Sequence, residues 1–345
     1  MTRDSIRSVR LWPYVSAFVF LLAAGCSQYI DPDVPEPIRP FVEPEFGGEY
    51  LLYRPSSYDR EQAWPLIVAC HSSFPDSPNR QIRDWTELAE RYGFLVVAPR
   101  LKGSGSSWTK NAAQRSQPAQ DDETHILATI RHVRAGHTIS EDRILIHGWS
   151  DGARAALQTG LRNPTVFRAI SLTRPDFDES DLAGLAGAVD PYQPVYVNFD
   201  VSDALTGKHG RRCVDALRAI GANLREDTTG HARRSDGQRA VEFFQNVIRK
   251  EPWLHIRASA SGEDRPLETR FSLLSSHAPK RYRWEFGDGD QSPVAAPVHA
   301  YAKPGTYRVT LTVEGPQGTE HRRTLDVTVP WHERGRGSRL IGSGP

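Results

Sequence analysis

The chain lacks the raw material for several familiar kinds of protein. Among its 345 residues there are three cysteines, too few for the disulfide framework that holds small coreless domains together. Lys and Arg total 43 against 42 Asp and Glu, a net charge of +1. The body of the chain also carries no basic block, so the electrostatic footprint of a nucleic-acid binder is missing. No apolar run reaches the ~20 residues that cross a bilayer. What is present is 38% hydrophobic residues, enough at this length for one sizeable core and a smaller second one.

The longest apolar run, Leu11 to Gly25, follows Arg3, Arg7 and Arg10, the order of charge then apolar stretch found in an export signal. It ends in LLAAGC, which resembles the lipobox of bacterial lipoproteins and implies that Cys26 becomes the lipidated first residue of the mature chain. Ala23 stands where that pattern prefers a branched aliphatic residue, with Leu22 one place further out. The alternative is an ordinary signal peptide followed by a chance cysteine. Residues 1–25 are therefore expected to be a removable signal. Residues 26–48, rich in proline and acid, are expected to be an extended tether holding the body off a membrane. The expected location is the cell envelope. Cys70 and Cys213 fall in a predicted strand and a predicted helix and are expected to be buried free thiols.

From Glu49 to Lys250, short apolar runs such as PLIVACH, FLVVAPR, RILIHGW, AISLTR and PVYVNFD alternate with segments of helical period such as QIRDWTELAERYG and QRAVEFFQNVIRK. The runs are apolar without alternation, as strands covered on both faces are. This order predicts an α/β domain over 49–250, a doubly wound, mostly parallel sheet whose functional loops lie beyond the carboxyl ends of the strands. Past Pro252 the helical period disappears. Residues 253–330 read as strands and turns of an all-β sandwich of Ig-like size, and residues 331–345, Gly-rich and basic, as a disordered tail.

Within the α/β part, IHGWSDGARAAL places Ser150 between Gly148 and Gly152, where a strand runs straight into a helix. GxSxG in that setting is a nucleophile elbow: the turn lifts the hydroxyl above the sheet, and side chains at the two glycines would collide with the neighbouring strand and helix. A serine hydroxyl needs a base, and the base needs an orienting acid. Downstream, Asp203 and His231 fall in strand-end loops on the same edge as Ser150. Among the 12 histidines, His231 alone follows an acid on a late strand-end loop. His125, His132 and His137 share one predicted helix and are expected at the surface. His147 is expected to be structural, and His277, His299, His321 and His332 belong to the second domain or tail. Asp203 is favoured as the acid because it lies just beyond its strand, and Asp200, which ends that strand, is the alternative.

With those residues in view, Glu49 to Lys250 resembles the α/β-hydrolase fold, particularly the esterases related to polyhydroxybutyrate depolymerases. The resemblance implies Ser150 as nucleophile, Asp203 as acid and the Gly230-His231 pair as carrier of the base. It also implies an oxyanion hole made by the amide of Asp151 and by an amide in the loop after PLIVACH. Relatives carry His-Gly in that loop, whereas this chain reads His71-Ser72-Ser73-Phe74. Ser72 is the expected second donor, and its Cβ puts rate and acyl size in question. The loop LKGSGSSWTKNAAQRSQPAQ lies on the same edge as a candidate lid, with Trp108 as a cover for the acyl pocket. Trp149 reads as packing.

WEFGDGD followed by HAYAKPGTYRVTLTV resembles the PKD domain, an Ig-like module of exported bacterial hydrolases. It implies that Trp284 and Phe286 face a core and that Gly287-Asp288-Gly289 turns the chain, with a turn role for Asp288 and Asp290 preferred over cation binding. Such modules act as spacers or attach to polymers or proteins. The reading is thus a lipid-anchored serine hydrolase acting on a small-molecule or polymeric ester, touching the membrane through its N-terminal lipid. Neither metal nor organic cofactor nor nucleic-acid partner is implied. A peptidase on the same fold and a non-catalytic surface binding protein are the rivals, and a domain ending at Lys250 is expected to fold alone. Replacing Cys26 by Ala should shift the protein out of the detergent-extracted membrane fraction, because the several acyl chains of a lipoprotein hold firmly; unchanged partitioning would remove the lipobox reading.

Overall fold

The computed structural model describes residues 38–72, 77–102, 112–204, 206–228, 237–262, 264–315, 318–331 and 340–341. Residues 37–345 pack as one compact unit. Among the described residues, eight strands form one sheet, in the order β1-β2-β4-β3-β5-β6-β7-β8. These are β1 (Arg39–Val42), β2 (Glu49–Tyr53), β3 (Trp64–Cys70), β4 (Leu95–Pro99), β5 (Ile139–Trp149), β6 (Ala169–Thr173), β7 (Val195–Asn198) and β8 (Leu224–Asp227). From β3 onward all neighbours are parallel, while β1 and β2 pair antiparallel at one edge. Helices α1 (Pro78–Tyr92), α2 (Ala112–Gly136), α3 (Gly152–Arg162), α4 (Thr206–Ala219) and α5 (Gly237–Lys250) cross between them. β4 and β6 are buried at every position, which is why the apolar runs show no alternation.

Local signals set the helix ends. α1 starts where the Ser77 side chain accepts from the Arg80 amide with Pro78 in the first turn, and stops at Gly93, whose φ of 70° lets its amide close back on the Ala89 carbonyl. Other expectations need correction. The stretch expected as tether supplies the edge strand β1, because the Glu43 carboxylate accepts the amides of Glu45, Phe46 and Gly48 and turns the chain back into β2. The candidate lid is shorter than its sequence implied, since α2 already begins at Ala112; Trp108 lies outside the described residues. His125 is buried, with Nε2 on the Glu49 carbonyl at 3.0 Å, and His132 meets the Tyr50 hydroxyl at 3.0 Å, so this helix faces the β1–β2 hairpin and not solvent alone. The tail contributes β16 (Leu340–Ile341), paired with Arg257 and Ala258 of the second domain. His147 is buried in β5 edge-on to Trp85, and burial pushes its pKa down to about 3, so it is a neutral packing residue. Cys70 and Cys213 are free and buried, and burial pushes both thiols up and keeps them protonated.

The second domain packs two four-stranded sheets, β13-β10-β9-β16 and β12-β11-β14-β15. Here β9 is Leu254–Ala260, β10 Glu268–Ser275, β11 Arg281–Glu285, β12 Gln291–Ser292, β13 Val298–Ala300, β14 Gly305–Glu314 and β15 Glu320–Val329. Trp284, Phe286, Phe271, Leu311 and Val327 fill its core. Gly287 and Gly289 both have positive φ, as the turn between β11 and β12 requires. Asp288 accepts from the Asp290 amide within that turn and from His299 Nε2 at 2.7 Å.

Each domain has its own apolar core, yet a buried polar cluster joins them. Arg323 of β15 donates to both carboxylate oxygens of Asp190, in the loop before β7, and to His255 Nδ1 of β9 at 2.9 Å, and its guanidinium lies 4.9 Å from the centre of the Tyr192 ring. Arg323 and Asp190 side chains are 3% and 0% exposed. Trp253 Nε1 donates to the Pro164 carbonyl beside it. The domains are therefore docked through desolvated charge. Arg323→Ala should strand a buried carboxylate and cost about 3–5 kcal/mol, while replacing the pair together, Asp190→Leu with Arg323→Met, should cost less. Thermal unfolding of the full chain tests this: an Arg323→Ala midpoint equal to wild type would mean that the pair holds nothing.

Candidate active site

The elbow is built by steric necessity. β5 delivers Ser150 with φ 53°, a left-handed conformation that costs a side-chain-bearing residue about 1–3 kcal/mol and persists only when its surroundings enforce it. Here they do. A Cβ on Gly148 would lie 2.4 Å from the Ala153 Cα, and one on Gly152 would lie 2.4 Å from the Cys70 carbonyl oxygen and 2.5 Å from that of His71. Helix α3 thus starts hard against the ends of β5 and β3. The Ser150 amide donates to the Thr173 carbonyl at 3.0 Å, and its carbonyl accepts from the Ala153 and Asp176 amides at 3.1 Å each. The turn is closed from both sides.

Cross-strand register lines up the rest of the edge. Trp149 pairs with Thr173, Thr173 with Asn198, and Asn198 with Asp227, so one row of residues ends β5, β6, β7 and β8. Beyond that row come Ser150, Arg174 and the β7 loop with Asp200 and Asp203. His231 follows Asp227 by four positions in sequence and lies outside the described residues, as does Ser73. Neighbouring strands stand ~4.8 Å apart, so β7 opens about 10 Å from the elbow, with β8 beyond it. The structure brings Ser150 and Asp203 to one edge.

The two candidate acids differ in surroundings. Asp200 Oδ1 accepts from the amide and the hydroxyl of Ser202, at 2.8 and 2.6 Å, a local turn within its own loop. Asp203 reaches further. Its Oδ1 accepts from the Thr206 amide at 2.9 Å, capping α4, and its Oδ2 takes Arg174 Nη2 at 2.5 Å. Asp203 is thus fixed from both oxygens, by a helix N-terminal amide and by a guanidinium. That suits an orienting acid.

Ser72 sits at the other side of the elbow, buried. The Leu101 amide donates to His71 Nε2 at 3.0 Å, so that ring carries its proton on Nδ1, which lies 2.7 Å from the Ser72 carbonyl and donates to it. The Ser72 hydroxyl donates to Asp151 Oδ1 at 2.6 Å. Ser72 thus ties the β3 loop to Asp151, the residue after Ser150.

Sequence reasoning passed over Arg174, whose φ is 47°, and the pair formed by Asp176 and His209, 3.1 Å apart across the β6 loop and α4. A charged residue directly after the apolar run AISLT was the available signal for Arg174; its backbone strain has no signature in sequence. The strain at Ser150 yields a measurable expectation. Ser150→Gly should abolish nucleophilic chemistry yet stabilise the fold by about 1 kcal/mol, whereas Ser150→Ala keeps the strain. Melting curves check it: a Ser150→Gly midpoint no higher than that of Ser150→Ala would mean that the elbow stores no strain.

Residues 82–184 match the model of the Prolyl oligopeptidase family and residues 251–329 that of the PKD domain. Collagenase ColA of Bacillus cereus is 48% identical over 48 residues, 14% of this chain and 5% of the collagenase. Pre-pro-metalloprotease PrtV of Vibrio cholerae is 45% identical over 51 residues, 14% of this chain and 6% of that protein. The chain therefore spans only a small fraction of the curated relatives that it matches. Among solved structures, an esterase from Rhizomucor miehei is 14% identical with a TM-score of 0.49, covering 67% of this chain and 88% of the esterase. The chain thus joins a domain of α/β-hydrolase fold to an all-β domain that matches the PKD model.

Proposed function

We propose that this chain is a serine hydrolase that cleaves carboxylic esters through an acyl-enzyme intermediate, exported and held at the cell envelope by a lipid on Cys26. The observation that carries the reading is the left-handed Ser150 locked between two glycines that tolerate no side chain. A backbone strained in that way at the end of a parallel strand serves to present a hydroxyl.

In this mechanism the Ser150 oxygen attacks the ester carbonyl carbon while His231 takes its proton. The carbonyl π electrons move to oxygen, which is held by the amides of Asp151, at the start of α3, and of Ser72. The tetrahedral intermediate collapses, the bond to the alkoxy oxygen breaks, and His231 returns the proton to the leaving alcohol. Water, deprotonated by His231, then attacks the acyl-enzyme, and the acid departs as Ser150 is regenerated. Asp203 keeps the imidazole in the tautomer that accepts at the serine and stabilises its cationic form. Peptide cleavage is the second reading, and the match of residues 82–184 to the Prolyl oligopeptidase family favours it. An ester and an amide pass through the same tetrahedral oxyanion and differ in the leaving group.

A fluorophosphonate probe should label wild type and leave Ser150→Ala unlabelled. With a short-chain aryl ester, Ser150→Ala and His231→Ala should each lose several orders of magnitude in kcat, and Asp203→Asn about 10⁴-fold. Activity should also fall on the acid side as the base takes up its proton. Parallel assays on aryl esters and peptide anilides decide between ester and peptide. An unlabelled wild type would leave the PKD domain and a binding role as the function.

A further inference from the structure

Two non-glycine residues among those described have positive φ, Ser150 at 53° and Arg174 at 47°. The first is the nucleophile. The second stands one residue past the end of β6, the strand next to the elbow strand, and its amide donates to the Asn198 carbonyl at 2.8 Å. No glycine fills this left-handed position, although glycine would adopt it without strain. A strained arginine persists where the side chain has a task that offsets the backbone cost.

The guanidinium shows what the task is. Its Nη2 donates to Asp203 Oδ2 at 2.5 Å, its Nε reaches Thr206 Oγ1 at 3.4 Å, and its Cζ lies 5.9 Å from the centre of the Trp149 ring, the residue before the nucleophile. One side chain therefore touches the elbow, the acid and the first turn of α4. The pair is half-buried, with 30% of the arginine and 26% of the aspartate side chain exposed, so its attraction is only partly screened by water. Other charged or titratable groups around it are Asp176 on the same loop, His209 on α4, held to Asp176, Asp200 ahead of Asp203, and Asp151 in the elbow.

We propose that Arg174 is a positioning residue of the hydrolytic site. It holds the Asp203 carboxylate at a set distance from the elbow, and its positive charge offsets part of that carboxylate's pull on the base. The inference rests on the reading of Asp203 as acid and His231 as base. The charge has a signed consequence. A cation paired with Asp203 weakens that carboxylate's hold on an imidazolium, so removing the cation lets the base hold its proton to higher pH. The acid limb of the activity profile then moves up. A residue that only braces the loop would lower activity equally at all pH values.

The test measures pH profiles of kcat/KM on an aryl ester, with melting curves, for wild type, Arg174→Gly, Arg174→Lys and Asp203→Asn. Arg174→Gly relieves the strained backbone and should melt no lower than wild type, while kcat falls about tenfold or more with KM little changed, and the acid limb moves up by roughly half a pH unit. Arg174→Lys keeps the charge and loses the planar fork, so the limb should stay in place with an intermediate loss of kcat. Wild-type kcat and profile in Arg174→Gly, with Asp203→Asn inactive, would overturn the role of Arg174 and leave the triad standing. Full activity in Asp203→Asn would overturn the choice of acid itself, and the role of Arg174 with it. Should Arg174→Gly melt below wild type, Arg174→Lys decides, and wild-type kcat in that variant overturns the proposal.

Discussion

The architecture turns on one close approach: helix α3 begins against the ends of β5 and β3 with no room for a Cβ at Gly148 or Gly152. Strand, turn and helix can be so compressed only if the residue between the glycines takes a left-handed backbone, and Ser150 does. The same compression places Asp151 at the N-cap of α3. The strained backbone at Ser150 and the start of α3 thus arise from a single packing constraint. Ser72 extends it, since its hydroxyl is bonded to the Asp151 carboxylate and its carbonyl to His71.

The second organising feature is the even register of the parallel strands. Because Trp149, Thr173, Asn198 and Asp227 end four neighbouring strands in one row, loops far apart in sequence open side by side. Arg174 uses that proximity to reach the elbow on one side and the acid loop on the other. Strain is concentrated here: among the described residues, both left-handed non-glycine positions lie on this edge, as expected where geometry serves chemistry and stability is maintained elsewhere.

The PKD domain is more than an appended bead. Its Arg323 enters the loop between β6 and β7 and pairs with Asp190 out of water. That loop begins at Arg174 and Asp176, beyond the carboxyl end of β6, and runs to the domain junction just before β7. A charge pair so buried adds little net stability over an apolar contact, but it fixes orientation, because any other docking leaves a charge unpaired.

Much of this was legible in the residues. Apolar runs without alternation, the helix caps Ser77 and Gly93, and GxSxG between a strand and a helix are local patterns, and local sterics decide them, so the α/β-hydrolase fold, the elbow and the PKD sandwich followed from sequence. The placing of Ser150 and Asp203 on one edge followed from the same logic of strand ends. What sequence did not carry depends on partners distant along the chain. The strand at Arg39–Val42 forms because β2 offers an open edge and Glu43 closes the turn, although its prolines read as a tether. His125 is buried because the β1–β2 hairpin covers its helix. The pairings of Arg174 with Asp203 and of Asp190 with Arg323 exist only once three loops and two domains meet, because an ion pair is determined by distance in space and periodicity along the chain carries no record of it.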